Sequence, residues 1–341
     1  MSKLRVAING FGRIGRLSLR ALLANDQVEV RAINDLGRPA TLAHLFKYDS
    51  NYGCFPDTVD STETHMVIAD HRLPVYMLAD PEELPWGTLQ IDTVIEATGK
   101  FTDEAGASKH LRAGAKRVVI AAPAQGDIPT IVWGINEHSL CRDASIVSNG
   151  SCTTQCLAPM AQVLDAHFGI QAAYINTIHA YTADQKLHDA AHKDLRRARA
   201  ATRSIIPTST GAARALGQVL PQLQGKIQGM ALRVPVATGS ITDLTVLTQR
   251  PATSGAINEA MHQAASGKLQ GVLDYTEDPI VSVDVLGNPH ACIFDANLTQ
   301  VQGNLVKVMG WYDNEAGYAQ RLVDLVVRLG VVKSEYYTQS G

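Results

Sequence analysis

Cys152 lies in a run of small and polar residues, 148–156 (Ser-Asn-Gly-Ser-Cys-Thr-Thr-Gln-Cys), which follows a strand-like segment at 144–147. A helical pattern begins at about Thr153, so the thiol is expected at a helix N-terminus, where free backbone N–H groups and the helix dipole stabilise an anion. In that position the pKa of a cysteine can fall from about 8.5 into the range of roughly 3.5–7.5. Cys152 is therefore a candidate nucleophile for covalent catalysis, although this run alone favours a buried structural cysteine beside a helix cap.

His179 follows a clear strand pattern at 173–178. A histidine at a strand end could face the thiol and remove its proton, because its unperturbed pKa lies near neutral pH. A single histidine is more often structural, and the spacing in the chain does not show that it meets Cys152. The sequence alone therefore does not decide whether His179 is a catalytic base or a structural histidine.

Two stretches of the second half could bind anions. Residues 184–203 are polar, lack strand periodicity and carry four neighbouring arginines, Arg196, Arg197, Arg199 and Arg203. Long loops of this kind are usually functional, and guanidinium groups bind phosphate with two hydrogen bonds, although a solvated basic surface is the simpler alternative. Residues 207–211 (Pro-Thr-Ser-Thr-Gly) precede a helical pattern at 212–220, whose first N–H groups could form a second phosphate site.

A glycine motif, Gly10-Phe11-Gly12-Arg13-Ile14-Gly15, follows the first predicted strand and begins a helical pattern. G-x-G-x-x-G in this context is typical of a turn that binds a pyrophosphate at a helix N-terminus. Asp35 ends a second predicted strand, 28–33, where a carboxylate can accept a hydrogen bond from the ribose 2′-OH of NAD. This order of elements predicts a dinucleotide site. The alternative is a glycine-rich turn, with Asp35 capping the next helix.

The elements that position these residues divide the chain into two domains. In the first half, strands alternate with helices, which implies a parallel, doubly wound α/β sheet that binds its ligand at the carboxyl ends of the strands. Its further predicted elements are strands at 92–97 (ending in Thr98-Gly99), 117–120 and 130–133, a helix at 104–113 and an inserted hairpin at 65–78. The second half is mainly antiparallel, with strands at 227–234, 241–247, 281–285 and 305–312, a helix at 255–265 and a closing helix at about 315–329. We expect a Rossmann-type dinucleotide-binding domain, 1–151, and an α+β catalytic domain, 152–314.

The composition narrows the class of protein. With 341 residues, 45% hydrophobic residues, 18% charged residues and a net charge of −3, the chain is typical of a globular protein without a nucleic-acid or membrane surface. Five scattered cysteines (Cys54, Cys141, Cys152, Cys156 and Cys292) indicate a reducing compartment, and no signal peptide or apolar membrane span is visible. We therefore expect a cytoplasmic protein. No metal site is predicted, because no second pair with zinc-ligand spacing follows Cys152 and Cys156.

Together, these residues resemble the phosphorylating glyceraldehyde-3-phosphate dehydrogenases over almost the whole chain. The motifs that carry the resemblance, in the family's order, are Val6–Arg16, Ser151–Thr154, His179–Thr182, Ser209–Ala213, Met230–Pro235 and Trp311–Glu315. The resemblance implies oxidation and phosphorylation of D-glyceraldehyde 3-phosphate to 1,3-bisphosphoglycerate, with NAD as cofactor, through a cysteine thioester. It also implies a homotetramer, and a C-terminal helix, about 315–341, that packs back on the cofactor domain.

The resemblance implies a role for each matching residue. Cys152 would attack the aldehyde and His179 would act as base. The substrate phosphate would bind Thr182 and Arg233, inorganic phosphate would bind Ser151, Thr153, Thr210 and Gly211, and Arg199 would lie between the two sites. The cofactor would bind Gly10, Phe11, Gly12, Arg13, Ile14, Gly15, Asp35, Thr98 and Gly99. Asn314 would hold the nicotinamide amide, with Tyr318 close by.

Some positions depart from the family pattern or favour a neighbouring branch. Gly150 stands where the family usually has Ala, and Gln155 where it usually has Asn. Asp35 favours NAD because its charge repels a 2′-phosphate, whereas the small pair Ala190-Ala191 resembles the NADP-accepting branch, so we expect NAD to be preferred and NADP to be accepted.

Two other functions are weighed against the triose-phosphate reaction. Segments 84–86 and 271–276 resemble erythrose-4-phosphate dehydrogenases, but 179–182 and 209–211 keep the triose-phosphate pattern. An inactive NAD-binding regulator or scaffold is the alternative from another class. The retained Cys152, His179, Arg199 and Arg233 argue against it.

Overall fold

The computed structural model describes residues 3–140 and 144–331, so Cys141 and the last ten residues of the predicted C-terminal segment lie outside the described residues. The chain forms two compact units. The first comprises the described residues of Met1–Ile131, Ser139–Gly150 and Ala319–Gly341, and the second comprises Val132–His138 and Ser151–Tyr318. Val132 and Ile135 belong to the second unit because their side chains are buried in its hydrophobic core.

The first unit is built on a sheet whose central strands are parallel. Its strands are β1 (Leu4–Asn9), β2 (Val28–Asn34), β3 (Tyr48–Asp49), β4 (Gly53–Cys54), β5 (Val59–Ser61), β6 (His65–Ile68), β7 (His71–Tyr76), β8 (Thr93–Glu96), β9 (Arg117–Ile120) and β10 (Ile146–Ser148). Its helices are α1 (Arg13–Leu23), α2 (Pro39–Lys47) and α3 (Glu104–Arg112). The strand order is β10-β9-β8-β1-β2-β7-β6-β5, and β3 pairs with β4 separately. The carboxyl ends of β8, β1 and β2 therefore lie side by side, where an open α/β sheet binds its ligand.

Both faces of this sheet are covered, which makes it doubly wound. Val118 and Ile120 pack in one apolar cluster with Ala107 of α3, whereas Val119 packs in another. That second cluster includes side chains of α1, α2 and the closing helix of the chain. Alternating residues of one strand serve opposite faces, as the period of a β-strand requires.

The second unit is a mixed, mainly antiparallel sheet with helices packed against it. Its strands are β11 (Ile170–Ala180), β12 (Ile206–Ser209), β13 (Ile227–Val234), β14 (Ser240–Thr248), β15 (Leu273–Thr276), β16 (Cys292–Asp295), β17 (Gln300–Gln302) and β18 (Leu305–Tyr312). Its helices are α4 (Cys152–Phe168), α5 (Ala212–Val219) and α6 (Ser254–Ser266). The strand order is β12-β13-β11-β14-β18-β16-β15, with β11–β13 and β15–β16 parallel. The predicted fold class is confirmed.

The chain closes with α7 (Ala316–Val331), which begins in the second unit and continues into the first. Leu322, Leu325 and Leu329 of α7 are buried in the same apolar cluster as Ile8 of β1. Arg117 of β9 also donates a hydrogen bond to the carbonyl of Leu329.

Two predicted strands are wrong. At 130–133 the chain makes only a single bridge, Thr130 with Ser148, because Val132 and Ile135 turn into the core of the second unit. At 281–285 the chain forms a short 3₁₀ helix, Ser282–Val285, whose Asp284 carboxylate accepts a hydrogen bond from the Val281 N–H. Its apolar residues therefore follow a helical turn, which a short apolar run does not distinguish from a strand.

Candidate active site

Cys152 is the first residue of α4, as the sequence indicated. Ser151 is the N-cap, and its Oγ accepts a hydrogen bond from the N–H of Thr154 at 3.1 Å. Gly150, just before the cap, has a φ of +66°, a left-handed conformation that costs glycine little. Gly150 thus supports the turn that leads into the helix. The thiol packs against the core of the second unit while part of Cys152 stays exposed.

His179 meets the thiol. Its Nε2 lies 3.3 Å from Sγ of Cys152. The ring is held near the end of β11, where His179 pairs directly with Arg233 on the parallel strand β13. The imidazole is nearly fully buried, at 3% exposure, so a neighbouring group and not bulk water must exchange its proton. The structure thus brings together the predicted nucleophile and the predicted base.

Burial sets the protonation of this pair. It raises the pKa of the Cys152 thiol to about 11, although the Arg233 guanidinium and hydrogen bonds from Thr153 act in the opposite direction. It lowers the pKa of His179 to about 3, and the positive charge of Arg233 adds to that shift. Near neutral pH the pair is therefore a thiol and a neutral imidazole. The expectation of a lowered thiol pKa is wrong, because loss of water around the thiol outweighs the helix terminus.

The other ring nitrogen of His179 has two competing partners. Nδ1 lies 2.7 Å from the carbonyl oxygen of Ala180 and 2.6 Å from Nη1 of Arg233. A protonated Nδ1 donates to the carbonyl, whereas a guanidinium can only donate and requires an unprotonated Nδ1. Only the first tautomer leaves Nε2 free to accept the thiol proton. The position of Arg233 therefore decides whether His179 can act as a base.

Tyr312 packs behind Cys152 and His179. Its hydroxyl lies 3.0 Å from Oγ1 of Thr153 and 2.8 Å from Oγ1 of Thr177, and its ring meets His179 edge-on with centroids 5.8 Å apart. These contacts connect α4, β11 and β18 behind the reacting pair. The hydroxyl of Thr153, predicted for the inorganic phosphate site, is buried and engaged in this network.

Two regions of the second unit offer groups for anions. Nε of Arg233 is a buried donor without a hydrogen-bond partner among the described residues, which fits an arginine that receives an anion. Thr182 lies just past β11 and donates its N–H to the side chain of Gln185 at 3.3 Å. Thr210 and Gly211 precede α5, where Gly211 is the N-cap and has no side chain to occupy the helix start.

The loop places Arg197, and not Arg199, beside this second region. Nε of Arg197 donates to Oγ1 of Thr208 at 2.9 Å, and the charge of Arg197 also contributes to lowering the pKa of His179. Arg199 extends outward, with a 67% exposed side chain, and pairs with Asp189 at 3.1 Å. The structure therefore does not bring Arg199 to the thiol. The two arginines are two positions apart in an irregular loop, and no periodicity of the sequence could have told them apart.

The glycine motif of the first unit has the shape that a pyrophosphate needs. A Cβ on Gly15 would lie 2.1 Å from the carbonyl oxygen of Gly10, and Gly10 has a φ of +93°, so the protein itself requires both glycines. A Cβ on Gly12 would meet only open space, and Gly12 is the N-cap of α1 without a side-chain cap. An unobstructed helix N-terminus at this point fits close approach of a phosphate.

Other predicted cofactor residues surround this turn. Asp35 accepts hydrogen bonds from the N–H groups of Phe11 at 2.7 Å and Gly37 at 2.8 Å. Arg13 pairs with Asp49 at 2.6 Å. Thr98 and Gly99 follow β8, where Gly99 has a φ of +70°, and Ile14 packs against the core of the unit. The carboxylate is held where a ribose hydroxyl could reach it, so this unit fits a dinucleotide.

Asn314 lies in the second unit with its side-chain orientation fixed. The N–H of Gly239 and the hydroxyl of Ser240 both donate to its Oδ1, at 3.2 and 2.8 Å. Converging donors identify that atom as the oxygen, so Nδ2 is the atom that can donate to a carboxamide. Asp313 fixes the turn by accepting a hydrogen bond from the N–H of Ala316 at 2.9 Å, and Tyr318 is buried in the first turn of α7.

The comparisons with known proteins agree along the chain. Residues 151–314 match the C-terminal domain model of glyceraldehyde 3-phosphate dehydrogenase, and residues 4–104 match its NAD binding domain model. Glyceraldehyde-3-phosphate dehydrogenase 2 of Streptomyces avermitilis is 52% identical over 330 residues, 96% of this chain and 98% of the relative. The chain belongs to the glyceraldehyde-3-phosphate dehydrogenase family. The enzymes of that name from Streptomyces coelicolor and Mycobacterium avium are 53% and 51% identical over 331 and 333 residues, with the same coverage.

Membership of the glyceraldehyde-3-phosphate dehydrogenase family confirms the predicted class, an NAD-dependent oxidoreductase, and the predicted cofactor, NAD. Sequence reasoning named Arg197 among the four arginines of the loop without distinguishing it from Arg199, and it assigned no role to Tyr312. Within 3–140 and 144–331, no three or more His, Cys, Asp or Glu side chains gather as a metal site would require. None of the helices described is long and apolar enough to cross a bilayer.

Proposed function

We propose that this protein oxidises and phosphorylates D-glyceraldehyde 3-phosphate to 1,3-bisphosphoglycerate, with NAD as the electron acceptor. The observation that carries the proposal is the 3.3 Å contact between Sγ of Cys152 and Nε2 of His179, next to the half-buried Arg233. A nucleophile in hydrogen-bond reach of a base, with an anion-binding group alongside, is what formation of a phosphorylated acyl-thioester requires.

In this proposal, His179 takes the thiol proton as Sγ of Cys152 adds to the aldehyde carbon. It then returns that proton to the aldehyde oxygen, so that a neutral thiohemiacetal forms and the imidazole is unprotonated at Nε2 again. His179 next removes the proton from the thiohemiacetal hydroxyl as the C–H bond breaks and the thioester forms. Bound NAD supplies the hydride acceptor for that step. An oxygen of inorganic phosphate then attacks the thioester carbonyl, the C–S bond breaks, and Cys152 leaves as a thiolate that is reprotonated. Tyr312 keeps the imidazole in register throughout by its edge-on contact.

Arg233 links substrate binding to the base. Without an anion, its Nη1 donates to Nδ1 of His179 and favours the tautomer in which Nε2 carries the proton. A substrate phosphate attracts the guanidinium more strongly than a neutral ring nitrogen does, because the hydrogen bond is then charge-assisted on both sides. Nδ1 is thereby released to donate to the Ala180 carbonyl at 2.7 Å, and Nε2 becomes the base. Thr182 completes this phosphate site.

For the attacking phosphate we propose a site formed by Ser151, Thr153, Thr210 and Gly211. Arg197 takes the role that the resemblance implies for Arg199, because Arg197 lies against Thr208 whereas the side chain of Arg199 extends outward and is 67% exposed. The supporting physical argument is that the N-cap Gly211 contributes no side-chain hydrogen bond to the start of α5, where the Ala212 N–H donates to the hydroxyl of Thr210 at 3.3 Å. An anion can bind there beside that hydroxyl, at the N-terminus of the helix.

NAD is proposed to bind Gly10, Phe11, Gly12, Arg13, Ile14, Gly15, Asp35, Thr98 and Gly99 of the first unit, with Asn314 and Tyr318 of the second. Asp35 favours NAD over NADP, since two backbone N–H groups hold its carboxylate and a 2′-phosphate would be repelled there. NADP is accepted less well. We keep 1–151 and 152–314 as the functional division of the chain, and a cytoplasmic location stays a prediction.

A homotetramer is supported by one face of the sheet in the second unit. Tyr174 of β11, Met230 of β13 and Leu305 of β18 are 65%, 42% and 47% exposed, although α4, α5 and α6 cover the opposite face with a continuous core. Exposed apolar side chains clustered on one sheet face are typical of a protein–protein contact. Light scattering of the purified protein tests the proposal. A monomer at micromolar concentration would contradict it.

A coupled spectrophotometric assay tests the reaction. It compares glyceraldehyde 3-phosphate with erythrose 4-phosphate, with and without phosphate, and NAD with NADP. We expect kcat/KM to be highest for the triose phosphate with NAD, and steady turnover to require phosphate. A higher kcat/KM for erythrose 4-phosphate would replace the proposed substrate, and NAD binding without any turnover would favour a regulator.

A further inference from the structure

Glu96 ends β8 as a fully buried acid in the first unit, with 1% exposure. Four donors surround its carboxylate. Nδ2 of Asn9 and Nε2 of His110 reach Oε2 at 2.5 and 2.9 Å, and the N–H of Thr98 reaches Oε1 at 2.8 Å. The hydroxyl of Thr98 also donates to Oε1. All four groups act as donors, so the two carboxyl oxygens of Glu96 accept every one of these hydrogen bonds.

The indole of Trp86 fixes the tautomer of His110. Its Nε1 donates to Nδ1 of His110 at 3.0 Å, and an indole nitrogen can only donate. Nδ1 is therefore unprotonated, and Nε2 carries the proton that it donates to Glu96. Nδ2 of Asn9 and Nε2 of His110 are both donors, and they lie 3.4 Å apart because both donate to Oε2 of Glu96. The Glu96 carboxylate is therefore hydrogen-bonded by His110 of α3 as well as by Asn9 of the sheet.

The network extends across the carboxyl ends of three parallel strands. Asn9 ends β1, and its Oδ1 accepts a hydrogen bond from Nδ2 of Asn34 at 2.6 Å. Asn34 ends β2 and also bonds with the backbone N–H and carbonyl of Leu78, both at 3.0 Å. Next to this network the glycine turn packs closely against the turn that follows β8, since a Cβ on Gly10 would lie 2.6 Å from the nitrogen of Thr98.

We propose that Glu96 is a positioning residue for the dinucleotide, and that His110 acts with it. Glu96 fixes both the backbone and the hydroxyl of Thr98, and it locks the end of β8 against the end of β1 and the glycine turn. Without these four hydrogen bonds, the Thr98–Gly99 turn and the Gly10 turn would have to order themselves when NAD binds. That ordering lowers affinity without touching the thiol chemistry. The inference rests on the proposed binding of NAD by the first unit.

The test compares two acid-to-amide substitutions at opposite ends of β8. Glu96→Gln places an NH₂ group against two of the four donors while keeping the shape of the side chain. Asp92→Asn, the control, changes an acid just before the amino end of β8, where Asp92 accepts from the N–H of Arg5 at 3.0 Å and from Lys116 at 2.6 Å. Kd for NAD is measured by calorimetry, together with thermal unfolding and the rate of Cys152 alkylation by iodoacetamide without cofactor.

We expect Glu96→Gln to raise Kd for NAD by about tenfold or more, which corresponds to about 1.4 kcal/mol, and Asp92→Asn to change it by less than about twofold. Alkylation without NAD should proceed at the wild-type rate in both variants. A wild-type Kd in Glu96→Gln would overturn the inference. A loss of affinity in both variants that follows their loss of thermal stability would overturn it too, since it would show a structural role only.

A second pair of variants decides the matter if Glu96→Gln does not fold. His110→Phe removes the donor to Glu96, and His110→Gln keeps an N–H at similar reach, so the second should retain the affinity for NAD that the first loses. Equal Kd values in the two would overturn the inference. If the wild-type protein itself does not bind NAD, the proposed function fails together with it.

Discussion

Replacing His179 by Gln removes the base and keeps a polar side chain of similar size. The 3.3 Å contact between Nε2 and Sγ of Cys152 places the imidazole in direct reach of the thiol proton. General base catalysis by a positioned side chain contributes about 10²–10⁴-fold, or about 2.7–5.4 kcal/mol at about 1.36 kcal/mol per tenfold change in rate. The loss should lie near the upper end, because a thiol with a pKa of about 11 has only about one ten-thousandth of its population as thiolate at pH 7.

The pH dependence separates this explanation from a general loss of structure. His179, with its pKa lowered to about 3, is neutral above that value, and Cys152, with its pKa raised to about 11, is protonated below that value. In the wild type the acylation rate should therefore change little between pH 6 and 9. In His179→Gln only the thiolate reacts, so the rate should rise about tenfold per pH unit and approach the wild-type rate at high pH.

Stopped-flow measurement of the first NADH formed per enzyme gives this acylation rate. His262→Gln provides the matched control, because His262 lies on α6 in the same unit and its ring contacts Tyr275, away from the thiol. It should behave as the wild type. A wild-type acylation rate in His179→Gln at pH 7, or a deficit that stays constant from pH 6 to 9, would refute the role of His179 as base.

Three further outcomes follow from the geometry. Arg197→Gln should raise KM for phosphate by about tenfold, because one charge-assisted hydrogen bond is lost, while Arg199→Gln should change it by less than about twofold. Steady-state kinetics measures both, and the reverse ranking would show that Arg199 binds the phosphate instead. Gly10→Ala should lower the free energy of unfolding by about 1–3 kcal/mol, because the φ of Gly10 is +93°. Gly12→Ala should have the stability of the wild type but bind NAD more weakly. Equal melting temperatures of the two variants would contradict this. Asp35→Ser should raise kcat/KM for NADP relative to NAD, and an unchanged ratio would show that Asp35 does not select the cofactor.

The features that the sequence predicted are those that short-range patterns encode. The first strand, the glycine motif and Asp35 follow one another within a single βαβ unit, so each supports the assignment of the next. The position of Cys152 was also predictable, because Ser151 and Thr154 form a helix cap from neighbouring residues. Strands β13 and β18 were predicted with their observed bounds, since continuous β-branched and apolar runs define them.

The features that the sequence did not predict depend on contacts between distant segments. The pairing of His179 with Arg233 depends on the register between β11 and β13, and a shift of β13 by one residue would turn the Arg233 side chain to the other face of the sheet. Tyr312 reaches the site from β18, and nothing near it in the chain marks it. The pKa of Cys152 depends on how completely the second unit excludes water from the thiol. The prediction that His179 acts on the Cys152 thiol came from the resemblance to a family, because the spacing of the two residues in the chain does not show that they meet.

A single-turnover experiment on Cys152 tests the central claim most directly. Enzyme is mixed with excess NAD and glyceraldehyde 3-phosphate without phosphate, and NADH is followed before and after phosphate is added. We expect a burst stoichiometric with Cys152 and then steady turnover on addition of phosphate, and we expect Cys152→Ser to give no burst while still binding NAD. Substantial NADH formation by Cys152→Ser, or a wild-type burst followed by full turnover without phosphate, would contradict the thioester mechanism.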